Sequence, residues 1–126
     1  MPSATTSTRG AVLIAYFSRP GENYYYGDRR TLTVGNTEVL ARLLADRIDA
    51  DVFQITAGDP YPDSYDQTVA RNVREQNADA RPAIAGNLPS LARYDTILLG
   101  SPIWNVRPPM IMNTFKIGRA SCRERV

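Results

Sequence analysis

Three short apolar runs alternate along the chain with longer stretches of helical periodicity: Val12 to Phe17 (VLIAYF), Asp51 to Ile55 (DVFQI) and Thr96 to Gly100 (TILLG). Runs this short, bounded by turn formers, predict buried strands. From Asn36, Val39, Leu40, Leu43, Leu44 and Ile48 recur at spacings of three and four, with Glu38, Arg42 and Asp46 on the opposite face. That pattern predicts an amphipathic helix, and Glu38 and Arg42 stand in a favourable i,i+4 order. Asp59-Pro60-Tyr61-Pro62 makes a rigid connection to Ser64-x-x-Gln67, which fits a capping box. Tyr65, Val69 and Val73 then follow at i, i+4 and i+8, predicting a second helix to about Asn77 that Arg81-Pro82 stops. Leu88 to Tyr94 adds a helical turn, and Val106 to Phe115 opens a third helix with Pro108 or Pro109 in its first turn.

Strand, helix and strand in succession predict a right-handed βαβ crossover with parallel strands. Three such strands are half of a doubly wound α/β sheet, which binds ligands at the carboxyl ends of its strands where the strand order reverses. With the first strand between the other two, the loops after Phe17 and after Gly100 both leave strand ends at that crevice.

The first of these loops carries the candidate chemistry. Ser18 supplies a hydroxyl, and Gly35-Asn36-Thr37 opens the first helix. Unpaired N–H groups in a first helical turn, the helix dipole and a glycine that admits close backbone approach together make an anion cradle. Taken alone, Asn36 or Thr37 would equally serve as a simple helix cap. Between the two halves, Arg19 to Val34 is rich in turn formers and holds Tyr24-Tyr25-Tyr26 and Arg29-Arg30. Two readings fit it: a solvated insertion, or a lid with tyrosines near a ligand and arginines facing an acidic partner. After the third strand, Trp104 is either a core residue or the wall of a flat-ligand site, and Pro102 and Asn105 shape the loop around it.

Composition narrows the classes. The 126 residues suit one domain, and a hydrophobic content of 43% argues for a core rather than disorder. No run is long enough to span a membrane, and the first ten residues form a polar tail expected to be disordered, without the apolar centre of a signal peptide. A cytoplasmic protein is expected. With no histidine and a single cysteine, neither a Ser-His-Asp triad nor a Cys/His metal site can be built. No lysine-bearing phosphate loop or G-x-G-x-x-G is present, and the acidic residues of a receiver domain are missing after the first and third strands.

The pI of about 8.9 depends on Lys116 to Val126 (KIGRASCRERV). Without that stretch eleven basic residues face twelve acidic ones, a balance of −1, so neither nucleic acid nor a membrane surface is an expected partner. The stretch holds the chain's only lysine and only cysteine, and it reads as an in-frame translation of a common short-read sequencing adaptor. Residues 116–126 are therefore set aside as a non-native tail.

Ser18, Gly35-Asn36-Thr37 and Ser101-Pro102-Ile103-Trp104 resemble the phosphate loop and first aromatic ring loop of the flavodoxin family. The family's phosphate loop is usually compact; the separation of Ser18 from Gly35 resembles a subgroup with an insertion there, as do Asp59-Pro60-Tyr61-Pro62, Tyr65 and Arg81-Pro82. The resemblance implies a sheet of order 2-1-3-4-5, of which only strands 1–3 are present between residues 11 and 115, so that the chain reads as truncated and, with one face of the flavin left bare, is expected to bind it weakly or not at all. It also implies FMN as cofactor, bound by Ser18, Gly35, Asn36, Thr37, Pro102, Ile103, Trp104 and Asn105. No catalytic acid or base is implied, since the flavin does the chemistry. On this reading the protein is an NAD(P)H-linked reductase of quinone-like or other small acceptors. The alternatives are a one-electron carrier that docks on redox proteins, or an interaction module without cofactor. A carrier would usually be strongly acidic, which a balance of −1 is not.

Overall fold

The computed structural model describes residues 11–120. The predicted tail at 1–10 lies outside them, as does the end of the predicted tail at 116–126. In chain order the elements are β1 (Ala11–Phe17), β2 (Gly21–Tyr25), β3 (Asp28–Leu32), α1 (Asn36–Arg47), β4 (Asp51–Ile55), α2 (Tyr65–Asn77), β5 (Tyr94–Gly100) and α3 (Met110–Ala120).

The predicted strands form one parallel sheet of order β4-β1-β5, with the first strand central as expected. Leu13 faces Asp51 on one side and Ile97 on the other. A register shift between Ala11 and Val12 lets β5 begin at Tyr94, two residues earlier than its apolar run. Because side chains alternate along a strand, β1 supplies two cores. Leu13, Ala15 and Phe17 join Ile55 and the α3 residues Ile111, Met112 and Phe115; Ile14 and Tyr16 meet Ala41 of α1.

The helices form where periodicity placed them but do not present the expected faces. Val39, Leu40, Leu43, Leu44 and Ile48 of α1 are all exposed, and only Ala41 is buried. The helix sits over β1 through its small residues, and among the described residues the narrow sheet offers nothing to cover the wider apolar side. In α2 the buried residues are Thr68 and Asn72, whereas Val69 and Val73 are exposed. Helix α2 stops before Arg81-Pro82, at Asp79, whose φ of 50° is left-handed. Asp79 N–H donates to the Gln76 carbonyl and Ala80 N–H to Glu75, the paired bonds of a Schellman cap. Leu88 to Tyr94 contains only a turn, and α3 begins at Met110, later than expected, because Trp104 to Arg107 closes into a tight turn of its own.

The insertion is not a loop. β2 and β3 pair as an antiparallel hairpin turned by Tyr26 and Gly27, both at positive φ (51° and 85°), as a two-residue hairpin requires. Its root is tied to the start of α2: Glu22 N–H donates to the Asp63 carbonyl, and the Glu22 carboxylate accepts from Tyr65 N–H at 2.9 Å.

Three buried or half-buried phenols make stability sensitive to alkali. Burial raises Tyr16, Tyr61 and Tyr94 above the usual phenol value, helped at Tyr61 by its bond to Glu75 and at Tyr94 by its bond to Asp51. Unfolded phenols lose their protons near pH ~10. Above that the unfolded chain binds fewer protons than the folded one, so stability present below pH ~10 is lost as pH rises. Urea midpoints should fall as pH rises above about 10, and Tyr61→Phe should flatten the slope. An unchanged slope would show that Tyr61 does not contribute.

Candidate functional site

The N-termini of α1 and α2 both lie at the carboxyl end of the sheet, and they differ in one respect. At α2 two first-turn amides are taken: Tyr65 N–H by Glu22, and Gln67 N–H by the Ser64 hydroxyl at 3.3 Å. At α1 the N-cap is Gly35, which has no side chain to give. Ser18, from the end of β1, accepts instead from Glu38 N–H at 3.0 Å. The amides of Asn36 and Thr37 and their side chains have no hydrogen-bond partner among the described residues, so the positive end of α1 is open to an anion. Glu38, the acidic residue of that turn, is paired with Arg42, as the spacing predicted.

Gly35 is fixed by packing rather than by φ. A Cβ there would lie 2.2 Å from Ser18 Oγ and 2.8 Å from the Arg19 carbonyl oxygen.

Sequence reasoning passed over Arg19. It is buried, and its guanidinium donates to the carbonyls of Pro62 (3.2 and 2.9 Å), Asp63 (2.6 Å) and Glu22 (2.6 Å). Burial pulls its pKa below the usual guanidinium value, while Asp63 and Glu22 push it back up. No carboxylate forms an ion pair with it among the described residues, so a positive charge is held at the cleft by neutral carbonyls. The only signal in the sequence was its place directly after Ser18.

The ring loop is anchored from below. Trp104 packs edge-on against Phe17 and Tyr61, with ring centres 5.7 and 5.2 Å away, and its carbonyl accepts from Gln76 at 3.1 Å. Trp104 packs on the edge of the core and also lines a cleft. Asn105 and Val106 turn the loop at φ of 56° and 66°, with Trp104 N–H donating to the Arg107 carbonyl at 2.8 Å. A β-branched residue in that region is strained. Val106 is 91% exposed and packs on nothing that would hold it there. Val106→Gly should raise stability by about 1 kcal/mol, read as a higher urea midpoint at unchanged slope; a lower midpoint would mean the turn carries no strain.

Ser18, Asn36, Thr37, Pro102, Ile103 and Trp104 line one cleft of about 320 Å³. Arg19, Asn23, Tyr24 and Tyr65 complete it, so β2 of the hairpin contributes to the wall. Of the predicted residues, Gly35 packs against Ser18 and Arg19, and Asn105 lines an adjoining cleft that shares Arg19, Asn23, Tyr65, Ile103 and Trp104 with this one. Arg29 and Arg30 do not enter: Arg29 pairs with Asp66 at 2.9 Å and Arg30 covers the Tyr25 ring. Among the described residues no acidic, cysteine or histidine cluster could hold a metal, and no helix is long and apolar enough to cross a membrane.

A sequence profile of the flavodoxin family matches residues 11–120. Among solved structures, a candidate flavoprotein from Bacteroides eggerthii is 28% identical with a TM-score of 0.69, over 87% of this chain and 63% of that one. Another, from Bacteroides uniformis, is 33% identical with a TM-score of 0.66, over 84% and 62%. A Lactobacillus acidophilus flavoprotein in complex with FMN shares the fold at 19% identity, with a TM-score of 0.67 over 86% and 66%. The chain thus spans less than two thirds of the length of the two Bacteroides proteins. No curated protein matches it significantly.

Proposed function

This chain belongs to the flavodoxin family, and from that premise we propose that it binds FMN in the cleft between Ser18, Asn36, Thr37 and Trp104 and works as an NAD(P)H-linked reductase of quinone-like or other small acceptors. One observation carries the reading: the open amides of α1 and the aromatic ring loop line the same cleft.

The residues present fit the group. Asn36 and Thr37 offer unpartnered N–H groups and side chains to a phosphate, and Arg19 adds a fixed positive charge nearby. Ser18 holds the turn by accepting from Glu38, so its own proton is free to be donated to a phosphate oxygen. Ile103 and Trp104 give a flat ring an apolar wall, and Tyr24 and Tyr65 stand across the cleft. When bound, FMN would supply the transfer of electrons between a reduced donor and an oxidised acceptor. The chain's part is to bind, orient and shield; no side chain in the cleft is poised as an acid or base.

Titration of the full chain with FMN, followed by flavin fluorescence, should show saturable one-to-one binding that inorganic phosphate weakens. Steady NAD(P)H oxidation by the loaded protein with a benzoquinone would support the reductase. Reduction only through a partner reductase would favour the one-electron carrier, and no FMN binding would leave the interaction module.

A further inference from the structure

The hairpin of β2 and β3 is a body of its own. It shares no ladder with the parallel sheet, and outside itself it packs chiefly on α2. Its outer half is held together internally: Tyr25 and Tyr26 meet edge to face with ring centres 4.8 Å apart, and Arg30 lies over the Tyr25 ring at 4.1 Å. A lone two-stranded hairpin is marginal in water, so the contacts that tie it to the rest of the chain decide where it sits.

Those contacts fall in two places. The root is fixed by buried Arg19, by Glu22 N–H on the Asp63 carbonyl, and by Asn23, whose amide donates to the carbonyls of Arg19 and Gly21 at 3.1 Å. Farther out the tie is Arg29, which pairs with Asp66 at 2.9 Å and lays its guanidinium over the Tyr65 ring at 4.5 Å. The side chains of this pair are 44% and 75% exposed, and an ion pair so open to water is weak enough to break and re-form.

Tyr24 stands directly opposite Arg29 in the ladder, so both side chains leave the same face of the hairpin. Tyr24 lines the first cleft, and so does Tyr65, the ring under the guanidinium. The outer tie therefore closes on a wall of the cleft, and a hairpin pivoting on its root would carry Tyr24 away from it.

We infer that the hairpin is a lid on the first cleft and that Arg29, closed on Asp66 and Tyr65, is its latch. The acidic partner of this arginine is supplied by α2 of the same chain. The latch stands on the geometry of the hairpin and α2; its effect on FMN exchange rests on the flavin reading proposed above.

Amide hydrogen exchange of the full chain without added ligand tests the latch. In Arg29→Gln the amides of residues 23–30 should exchange about fivefold faster, the worth of an exposed ion pair and a cation–π contact together, with those of β1 unchanged. Asp66→Asn should speed them about twofold, and adding it to Arg29→Gln should change nothing further, because its partner is already gone. Stopped-flow fluorescence with FMN tests the lid. A lid that must open for entry and for exit holds back both, so Arg29→Gln should raise the association and dissociation rates about fivefold each and leave the affinity within about twofold. A residue that only stiffened the wall would change dissociation alone. Unaltered exchange in Arg29→Gln would overturn the latch, whatever FMN does. Faster exchange with an unaltered association rate would overturn the lid and make the hairpin a fixed wall. Exchange that responds as expected in a chain that takes up no FMN would uphold the latch and remove the flavin reading alone.

Discussion

Gly35→Ala should lower FMN affinity by at least a hundredfold and destabilise the chain by about 3 kcal/mol. The new methyl would stand 2.2 Å from Ser18 Oγ, a separation no pair of non-bonded atoms tolerates, and under 3 Å from the Arg19 carbonyl carbon and oxygen. Rotating Ser18 away relieves only the first contact and gives up its bond to Glu38 N–H; the other two involve backbone and require β1's end or the α1 entrance to move. Overpacking of this kind costs about 1–3 kcal/mol, and the lost hydrogen bond adds about 1. The same movement withdraws the amides of Asn36 and Thr37 from their positions. Isothermal titration with FMN and urea unfolding read the two effects separately. Undiminished affinity together with undiminished stability would show that the close approach of these two backbones is not needed.

Arg19→Met should weaken phosphate binding about tenfold and destabilise the chain by about 3 kcal/mol, because this one side chain has two roles. Four hydrogen bonds to the carbonyls of Glu22, Pro62 and Asp63 would be lost, leaving those acceptors to find water in a region the guanidinium now fills. The root of the hairpin should then exchange its amide hydrogens faster, beginning at Glu22 and Tyr65. Arg19→Lys keeps the charge but not the planar fork. It should therefore be nearly as destabilised as Arg19→Met, yet bind phosphate more tightly than Arg19→Met does. Full stability in Arg19→Lys would assign the effect to charge alone; equal phosphate affinity in the two variants would remove Arg19 from the anion site.

The sheet was legible because β1 is buried on both faces and its partners are short apolar runs, a signal that survives without knowledge of neighbours. The open start of α1 was legible for a similar reason: Gly35-Asn36-Thr37 is a local signal, and it does open the helix and line a cleft with Ser18. Helix faces were not. Periodicity counts large apolar residues, whereas α1 meets the sheet through Ala41, and α2 buries Thr68 against its own entry and Asn72 against the Trp104 loop. The hairpin was hidden because Asp28–Leu32 (DRRTL) is polar and exposed, and its pairing is with an equally polar strand. Arg19 and Asn72 gain their roles only from residues far along the chain, Pro62 and Asp63 in one case and Trp104 in the other. No local pattern encodes such contacts.

The central place of β1 also sets the order in which the protein can be made. Its two partners arrive late and at different times during synthesis, since Leu13 waits first for Asp51 and then for Ile97. Parallel pairing between such distant segments is slow, because the loop must close before any contact repays it. On the ribosome, β1, α1 and β4 can associate as one unit while the codons for β5 are still being read. During that interval the β5 side of β1, with Ala15 and Tyr16, has no partner, and a nascent chain in this state is the form that a chaperone would meet.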